Sequence, residues 1–323
     1  MKILGIETSC DETAASVVKN GKAILSNVVA SSLKEHSKYG GIVPEIASRR
    51  QIELIQLIVK EALENANLSL KDLDAIAVTE KPGLIGSLLV GISFARALSF
   101  AAKKPLVSVD HIQAHLYANF LSEKGTETTK IPSLPALGLV VSGGHSSVFH
   151  VENFRNLRLL GQTRDDAAGE AFDKVARILK LGYPGGPIID RLAKSGINDE
   201  IRFSCAELPG TDDFSFSGIK TAVLYHVRKR SDPVNKIAYA FQESVVNAIV
   251  QKCLSICRRQ QLKTILVGGG VAANSALREK LSAEAKKEKI EVFFPPPRLC
   301  LDNAAMIAGL AFHYLIPGKK HAK

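Results

Sequence analysis

Two stretches of the chain share one pattern of apolar and polar positions, in which a turn of small polar residues separates two apolar runs. The first stretch covers residues 2–18 and includes Leu4-Gly5-Ile6 in its opening run. The second covers residues 137–151, where Leu137-Gly138-Leu139 holds the matching place. Short apolar runs bounded by turn residues are typical of buried strands. The pattern therefore predicts two similar β-hairpins, and their likeness suggests a duplicated fold.

The residues between the two hairpins alternate between helix-like and strand-like patterns. Apolar residues at helical spacing predict a helix over residues 44–66. Short apolar runs predict strands at residues 74–79 and 106–109, and the largely apolar run 84–102 predicts a buried helix. Strands that alternate with helices indicate an α/β fold. The polar and charged residues 123–130 are expected to separate two halves of the chain.

His111 and His115 directly follow the second of these predicted strands. On a helix, residues four positions apart leave the same face one turn apart, so both imidazoles can reach one ion. Imidazole is the commonest protein ligand for metals such as zinc and iron, and ligands gather at the carboxyl ends of strands in α/β sheets. The pair indicates a metal site, and two partly buried histidines on an ordinary helix remain the alternative.

Acidic residues are dense between residues 165 and 174. If this segment is helical, Asp166, Glu170 and Asp173 share one face, where like charges repel unless they are paired or used. A solvated helix start explains acids in the first turn but explains Asp173 less well. The next motif, residues 214–221, is predicted to begin a helix capped by a serine.

A glycine-rich loop lies near the end of the chain. Residues 264–267 predict a strand, and Gly268-Gly269-Gly270 follows it before a helix that begins at Ser275. This order is the form of an anion site, but the Walker lysine and the dinucleotide-binding glycine spacing are both missing. Asp302 precedes the last predicted helix, where it could cap the helix or ligate a metal.

Composition narrows the class of protein. The 323 residues are 46% hydrophobic and carry a formal net charge of +10, which suits a polyanionic partner; an ordinary basic protein is the alternative. The absence of Trp and the 6% aromatic content argue against a stacking platform for single strands. Five scattered cysteines predict free thiols in a reducing compartment. The uncharged run 83–95 is too short to span a bilayer. We therefore expect a cytoplasmic protein without a membrane segment.

Taken together, these motifs resemble the TsaD/Gcp/Kae family in its bacterial form, from residue 3 to about residue 312. The resemblance rests on residues 5–13, 141–145, 165–174, 183–187, 215–221 and 268–274, with the His111/His115 pair and Asp302-Asn303. It implies an α/β protein with an actin-like ATPase (ASKHA) fold, made of two duplicated ribonuclease-H-like subdomains with the site in the cleft between them. Residues 1–122, completed by a C-terminal helix over 303–323, would form one subdomain and residues 131–302 the other.

The resemblance also implies a reaction, transfer of the L-threonylcarbamoyl group from threonylcarbamoyl-AMP to N6 of adenosine 37 in tRNAs that read codons beginning with A. It implies one metal per subunit, usually Fe²⁺ and sometimes found as Zn²⁺, held by His111, His115 and Asp302. Asp11 or Glu12 would take the amine proton or order the metal site. The substrate-binding residues would be Val140, Val141, Ser142, Gly143, Gly144, Asp173, Gly186, Asp190 and Asn274. The amides of residues 142–144 would stabilise the oxyanion.

The partners that the resemblance implies are tRNA, a TsaB-type paralogue and a TsaE-type ATPase, with ATP and Mg²⁺ entering through the partner complex. The chain departs from the family pattern at a few positions. Gln113 stands where an acid is usual, Lys81 where glycine is usual, and Leu301 and Ala304 flank Asp302-Asn303 where threonine and glycine are usual. These changes put the outer shell of the metal site in question, since outer-shell residues tune metal affinity.

Two other functions fit parts of the pattern. A metallopeptidase of the zincin type would need a glutamate directly after the first histidine, and Ile112 stands there. A non-catalytic ATPase that serves as a tRNA scaffold would bind Mg²⁺ with its nucleotide and would need no histidine ligands. The sequence therefore favours the transferase, with the scaffold as its alternative.

Overall fold

A computed structural model describes residues 1–123, 130–197 and 200–316, and in these residues ten strands form two five-stranded sheets. Contacts within the chain divide it into a first unit, Met1–Ile131 with Leu301–Lys323, and a second unit, Pro132–Cys300. The strands of the first unit are β1 (Lys2–Glu7), β2 (Glu12–Lys19), β3 (Ala23–Ser31), β4 (Ala75–Lys81) and β5 (Leu106–Asp110). Those of the second are β6 (Ala136–Val141), β7 (Ser146–Asn153), β8 (Asn156–Gln162), β9 (Thr264–Gly268) and β10 (Glu291–Phe293).

Helices occupy most of the remaining described residues. They are α1 (Leu33–Ser37), α2 (Pro44–Asn65), α3 (Ile85–Ala102), α4 (His111–Tyr117), α5 (Ala168–Ile178), α6 (Gly185–Ala193), α7 (Ser217–Lys229), α8 (Val234–Gln260), α9 (Ser275–Lys287), α10 (Pro297–Cys300) and α11 (Ala304–Leu315). The helix predicted over residues 303–323 is thus described as far as Leu315, and residues 317–323 lie outside the described residues. Residues 124–129, part of the predicted boundary between the two halves, also lie outside them.

The two sheets have the same topology. The first unit has strand order β3-β2-β1-β4-β5, and the second has β8-β7-β6-β9-β10. In each sheet the first three strands in chain order are antiparallel neighbours, and the last two continue the sheet in parallel. The two predicted hairpins, β1–β2 and β6–β7, are confirmed, and so is the duplicated fold. Strand β8, which completes the match, was missed because its exposed, mixed sequence carries a weak apolar pattern.

The core of the first unit lies between its sheet and the helices that pack on it. Leu4, Ile6 and Val17 on the sheet meet Ile55 and Val59 of α2 in one cluster of buried side chains. On β1, Gly5 lets α11 approach closely, since a Cβ added there would lie 2.3 Å from the Ala304 carbonyl oxygen. Any side chain at residue 5 would therefore push α11 away from β1.

The core of the second unit is built around α8, which is buried along much of its length. Phe241 of α8 meets Phe172 of α5 in an edge-to-face contact with ring centroids 5.0 Å apart. Cys253 and Cys257, on the same helix, are buried in this core. All five cysteines are free thiols, as the sequence predicts.

Helix α3 corrects a prediction. Its position is as expected, but only 17% of it is buried, and Ile85 and Phe100 are 79% and 87% exposed. It also extends past the uncharged run of residues 83–95, through Arg96 to Ala102. By length and composition, α3 is the one described helix that could cross a membrane. Exposed apolar surface of this kind marks a contact surface.

Candidate functional site

The histidine pair is placed by the end of β5. Asp110 ends this strand, and its Oδ1 accepts a hydrogen bond from the Gln113 amide at 3.1 Å, which caps α4 at its first turn. Helix α4 begins with His111, so His111 and His115 lie one turn apart as predicted, and both are buried. The carboxyl end of a parallel strand therefore delivers both imidazoles to one point.

Asp302, which lies in the same unit, completes a three-residue group with the two histidines. The His115 Nε2 atom lies 3.2 Å from His111 Nε2 and 3.1 Å from Asp302 Oδ1. The third side of the triangle, from His111 Nε2 to Asp302 Oδ1, is 3.6 Å. Asn303, and not Asp302, caps α11, because its side chain accepts the Met306 amide at 3.1 Å. Asn303 thus caps α11, and the Asp302 carboxylate lies beside the two histidines.

This triangle fits a metal ion. Ligand bonds of about 2.0–2.1 Å in a tetrahedral site place ligand atoms about 3.3 Å apart, and the three observed separations of 3.1, 3.2 and 3.6 Å bracket that value. Two imidazoles and one carboxylate suit zinc or iron(II). Two Nε2 atoms that face each other at 3.2 Å also need a cation or a proton between them. The group therefore has the chemistry and the dimensions of a metal site.

Glu7 holds His111 from behind, a contact that the sequence did not reveal. Its Oε2 lies 3.0 Å from His111 Nδ1 and accepts the Thr79 hydroxyl at 2.6 Å, and its Oε1 accepts the Ser9 amide at 2.5 Å. A carboxylate accepts hydrogen bonds, so Nδ1 carries the hydrogen and Nε2 keeps its lone pair for a ligand bond. A signal was present: an acid ends strand β1, which is buried from Ile3 to Glu7. His115 Nδ1 has no hydrogen-bond partner among the described residues.

The surrounding charges separate the pKa values of the two histidines. Burial disfavours the charged form of His111, but the carboxylates of Asp302 and Glu7 outweigh it and raise the pKa of His111 to about 9. Burial, and then the charge of His111, lowers the pKa of His115. The carboxylates of Asp302 and Glu7 thus favour positive charge beside the two imidazoles, either as a proton on His111 Nε2 or as a metal ion in its place.

The two predicted catalytic acids also lie in the first unit. Burial raises the pKa of Glu12 well above its usual range, and the nearby charges of Asp302 and Asp11 raise it further. The Asp11 backbone is fixed, because the Ser32 hydroxyl donates to its carbonyl oxygen at 2.8 Å. Glu12 is therefore within electrostatic range of Asp302, and Asp11 lies beside Glu12, to which its side chain is hydrogen-bonded.

The predicted substrate residues lie in the second unit. Val140 and Val141 are buried in β6, whereas Gly143 and Gly144 are exposed in the turn that follows, and a Cβ at either glycine would meet nothing within 4 Å. The Ser142 amide already donates to the His145 carbonyl at 2.7 Å, so it is not an oxyanion donor in this conformation. The predicted set of amides is thereby reduced to Gly143 and Gly144.

Asp173, Gly186, Asp190 and Asn274 are held by hydrogen bonds at helix ends. Asp173 Oδ1 accepts the Gly185 amide at 2.7 Å at the start of α6. Burial raises the pKa of Asp173, although hydrogen bonds from the amides of Gly185 and Gly186 act in the opposite direction. The Asp190 carboxylate accepts the hydroxyl of Ser275 at 2.8 Å and its amide at 3.2 Å. Asn274 caps α9 and donates to Gln242. A Cβ at Gly186 would meet nothing within 4 Å.

The acidic segment is paired, contrary to the expected repulsion. Helix α5 begins at Ala168, so Asp166 precedes the helix and does not share its face with Glu170 and Asp173. Lys174 Nζ lies 2.7 Å from Asp166 Oδ1 and 2.8 Å from Glu170 Oε1. These ion pairs, and not a solvated face, offset the negative charge.

The cap of α7 is a second correction. No serine side chain caps this helix, whose N-cap is Phe216. Asp165 does so from another segment: its Oδ1 accepts the amides of Phe216 and Ser217 at 2.8 and 3.2 Å. Asp165 Oδ2 accepts the Ser215 hydroxyl at 2.6 Å. Part of the density of acids after β8 therefore has a structural role.

Gln113, the first departure from the family pattern, is hydrogen-bonded to helix α11. Its Oε1 accepts the Tyr314 hydroxyl at 2.9 Å. Leu301 is exposed, and Lys81 ends β4 opposite Asp110. The residue behind His111 is Glu7, which keeps the family motif, so these departures leave the hydrogen bonds of His111 intact.

Each unit is thus a ribonuclease-H-like sheet with helices, and the first also carries a two-histidine, one-aspartate site. This is the class of duplicated, actin-like proteins with a candidate metal centre. Solved structures share the fold. Full-length HypF in a phosphate- and nucleotide-bound form gives a TM-score of 0.64 at 14% identity, over 98% of this chain and 47% of that chain. The (R)-2-hydroxyglutaryl-CoA dehydratase component A of Acidaminococcus fermentans gives 0.56 at 18% identity, over 97% and 98%.

The family is shown by sequence. A family model described as TsaD, tRNA N6-adenosine threonylcarbamoyltransferase, matches residues 23–309. Proteins of that name from Syntrophus aciditrophicus and Clostridium beijerinckii are 50% and 51% identical, over 99% and 96% of this chain and 94% and 91% of their own length. The chain belongs to the TsaD family of tRNA-modifying transferases.

Proposed function

We propose that this chain transfers the L-threonylcarbamoyl group from threonylcarbamoyl-AMP to N6 of adenosine 37 in tRNAs that read codons beginning with A. The observation that carries the proposal is membership of the TsaD family over almost the whole chain. It is supported by the three-residue metal group, which a plain ATPase scaffold would not need.

The reaction is an acyl transfer. The exocyclic amine attacks the carbamoyl carbon, a tetrahedral oxyanion forms, and the bond from that carbon to the phosphate oxygen breaks to release AMP. Asp11 or Glu12 takes the proton that the amine loses, and both stay candidates for this role. The amides of Gly143 and Gly144 donate to the oxyanion; neither donates to another described residue.

The donor is bound by residues of the second unit. Val140 and Val141 present the backbone that leads into the glycine turn, and Ser142 orients that turn through His145. The carboxylates of Asp173 and Asp190 accept hydrogen bonds from hydroxyl groups of the donor. Gly186 leaves room for the donor beside α6, and Asn274 adds a polar contact at the start of α9. These assignments rest on the family resemblance and on the open glycines.

His111, His115 and Asp302 hold the metal, which we propose is Fe²⁺, one per chain, with Zn²⁺ as the other candidate. When bound, it supplies a positive charge that orients donor oxygens and offsets the negative charge that develops. Glu7 and the buried walls of the site keep the His111 imidazole in the orientation that such an ion requires.

The chain is proposed to work in the cytoplasm with tRNA, a TsaB-type paralogue and a TsaE-type ATPase that brings ATP and Mg²⁺. The exposed apolar residues of α2 and α3 support binding of the paralogue, because a chain of similar fold could cover them with its own helices. These residues are Ile52, Leu57, Ile85, Leu89 and Phe100. The subdomain limits of 1–122 with 303–323, and 131–302, and the placing of the reaction between the two subdomains, stay predictions.

The test is reconstitution. Unmodified tRNA, threonine, bicarbonate, ATP, the enzyme that forms the adenylate and both partners are mixed with and without this chain. The tRNA is then digested, and threonylcarbamoyladenosine is sought by mass spectrometry. Product that depends on this chain supports the proposal. No product, while a homologous chain gives product under the same conditions, rejects it in favour of the scaffold.

A further inference from the structure

A cavity of about 400 Å³ lies in the second unit beside the C-terminal end of α7. Its lining includes Arg202, Phe203, Tyr225, His226, Lys229 and Arg230. We call Arg202, Tyr225, Arg228, Lys229 and Arg230 the basic patch. None of these residues belongs to the metal group or to the predicted substrate loops.

The four cations of the basic patch have no carboxylate partner among the described residues. One acid, Glu200, lines the cavity and lies 3.3 Å from Lys236 Nζ, and a second, Asp232, lies 2.8 Å from His226 Nε2, so both are engaged with other residues. Several other cations of this unit are paired, as Lys174 is with Asp166 and Lys280 is with Glu243. The basic patch is therefore a concentration of uncompensated positive charge.

Local structure explains only part of this concentration. Cations are favoured in the last turn of a helix, which accounts for Arg228 and Lys229 at the end of α7. The helix dipole does not account for Arg202, which comes from a separate segment without helix or strand and lines the same cavity. Like charges gathered in this way repel, so the cluster costs the folded chain free energy unless an anion offsets it.

An aromatic ring stands among these charges. Tyr225 is 55% exposed, and Lys229 lies one turn further along the same face of α7. Phosphate-binding cations with an exposed aromatic ring are the means by which proteins bind RNA that carries unstacked bases. We propose that the basic patch binds the tRNA, with its cations on backbone phosphates and Tyr225 stacked on an unpaired base. This inference rests on the proposed tRNA substrate.

The position of the patch suits contact away from the reacting adenosine. Helix α7 has 13 residues, so its two ends are about 20 Å apart. Its first turn lies near the acidic segment, where Lys220 Nζ is 3.3 Å from Asp166 Oδ2. The patch at the other end would thus meet the nucleic acid well away from this segment, where phosphate contacts position the substrate and carry no chemistry.

The experiment measures tRNA affinity of the full chain, in complex with its partners, as a function of salt. Lys229→Ala/Arg230→Ala is compared with Lys263→Ala/Lys286→Ala, which removes the same charge from other exposed positions of the second unit. The basic-patch variant is expected to bind about tenfold more weakly near 0.1 M salt, with the slope of log K against log salt reduced by roughly 1.5. The control should match the wild type.

Tyr225 is tested separately. Tyr225→Ala should weaken binding of the unmodified tRNA at least about fivefold without changing the salt slope, and Tyr225→Phe should restore it, because stacking needs only the ring. Thermal melting checks that each variant is folded.

Equal affinities and slopes for the basic-patch variant and the control would overturn the inference. The reconstituted transfer assay separates this outcome from failure of the proposed function. If the wild type still makes product while the basic-patch variant binds tRNA normally, the surface is misplaced but the reaction stands. If the wild type neither binds tRNA nor makes product, both fail.

Discussion

Glu7 holds the His111 imidazole by its Nδ1 atom while its other hydrogen bonds go to Ser9 and Thr79. At the scale of single residues, this contact orients His111 for metal binding before an ion is bound. An imidazole whose Nδ1 hydrogen is held by a carboxylate keeps the ring orientation that a ligand bond at Nε2 requires. His115 lacks such a partner among the described residues, so His111 is the more strongly oriented of the two.

Glu7→Gln should weaken metal binding about 10–100-fold. The amide keeps the size of the side chain but can donate to Nδ1, which moves the imidazole hydrogen to Nε2 and blocks the ligand bond. The measurement is Co²⁺ or Zn²⁺ affinity by competition with a chelator, with the visible spectrum of the Co²⁺ form as a report on geometry.

Thr79→Val is the matched control for this prediction. It removes one hydrogen bond to the same carboxylate but leaves the acceptor for Nδ1, so affinity should change by only a few-fold. A Glu7→Gln variant that binds cobalt as tightly as the wild type, with the same spectrum, would show that Glu7 does not orient His111.

At the scale of elements, helix α7 depends on an acid that is distant in sequence. Asp165 accepts the amides of Phe216 and Ser217. Asp165→Ala should therefore lower the free energy of unfolding by about 1–2 kcal/mol, the usual cost of a lost N-cap. Ser217→Ala, at one of the two serines in the predicted cap motif 214–221, should change it by less than about 0.5 kcal/mol. Urea unfolding measures both changes. A larger loss of stability for Ser217→Ala than for Asp165→Ala would mean that a serine caps the helix.

Helix α3 gives a second prediction at this scale, because its apolar side chains are exposed. Leu89→Glu should abolish co-elution with the TsaB-type paralogue in size-exclusion chromatography while leaving the isolated chain folded. Ile197→Glu, which places the same charge at another exposed apolar position, is the control. If Leu89→Glu still forms the complex with unchanged affinity, the paralogue binds elsewhere.

The elements show what local sequence can and cannot predict. The hairpins and the His111/His115 pair were predicted because strand alternation and helical spacing are properties of neighbouring residues. The burial of α3 was predicted wrongly, because an apolar composition does not distinguish a core from a contact surface. The Asp165 cap and the contact of Glu7 with His111 span 51 and 104 positions, so no local pattern reveals them. Asp302 was assigned to the metal only through the family resemblance.

At the scale of the whole molecule, acid should destabilise the protein through carboxylates that are paired in the fold. Asp213 is partly desolvated, but the Gln162 amide and the Arg164 guanidinium hold its pKa below the usual value. Asp166 is similar: hydrogen bonds from Lys174 and Lys220 outweigh its burial and lower its pKa. These groups bind fewer protons when folded, so their stabilisation is present above the unfolded pKa of about 3.9 and is lost as pH falls through the lower folded value.

Asp213→Asn should therefore be less stable than the wild type at pH 6, and the difference should shrink toward pH 3. Urea midpoints at the two pH values measure this. A deficit that stays constant across the range would mean that ionisation of Asp213 contributes nothing to the stability of the fold.

The two units contribute different residues to the proposed reaction. The first unit carries the metal group and the two candidate acids, and the second carries the glycine turn, the donor-binding residues and the basic patch. Direct transfer by this chain requires both sets, whereas a scaffold requires only the tRNA contacts. The central claim is therefore that the chain performs the chemistry itself.

The most direct test is single-turnover transfer from purified threonylcarbamoyl-AMP to unmodified tRNA, without threonine or ATP, by the metal-loaded chain and its partners. The account predicts modified tRNA that requires this chain, with a rate at least about 100-fold lower for His115→Ala, because the charge that offsets the developing anion is lost. Product at an unchanged rate from His115→Ala, or from the partners alone, would contradict direct, metal-assisted transfer by this chain.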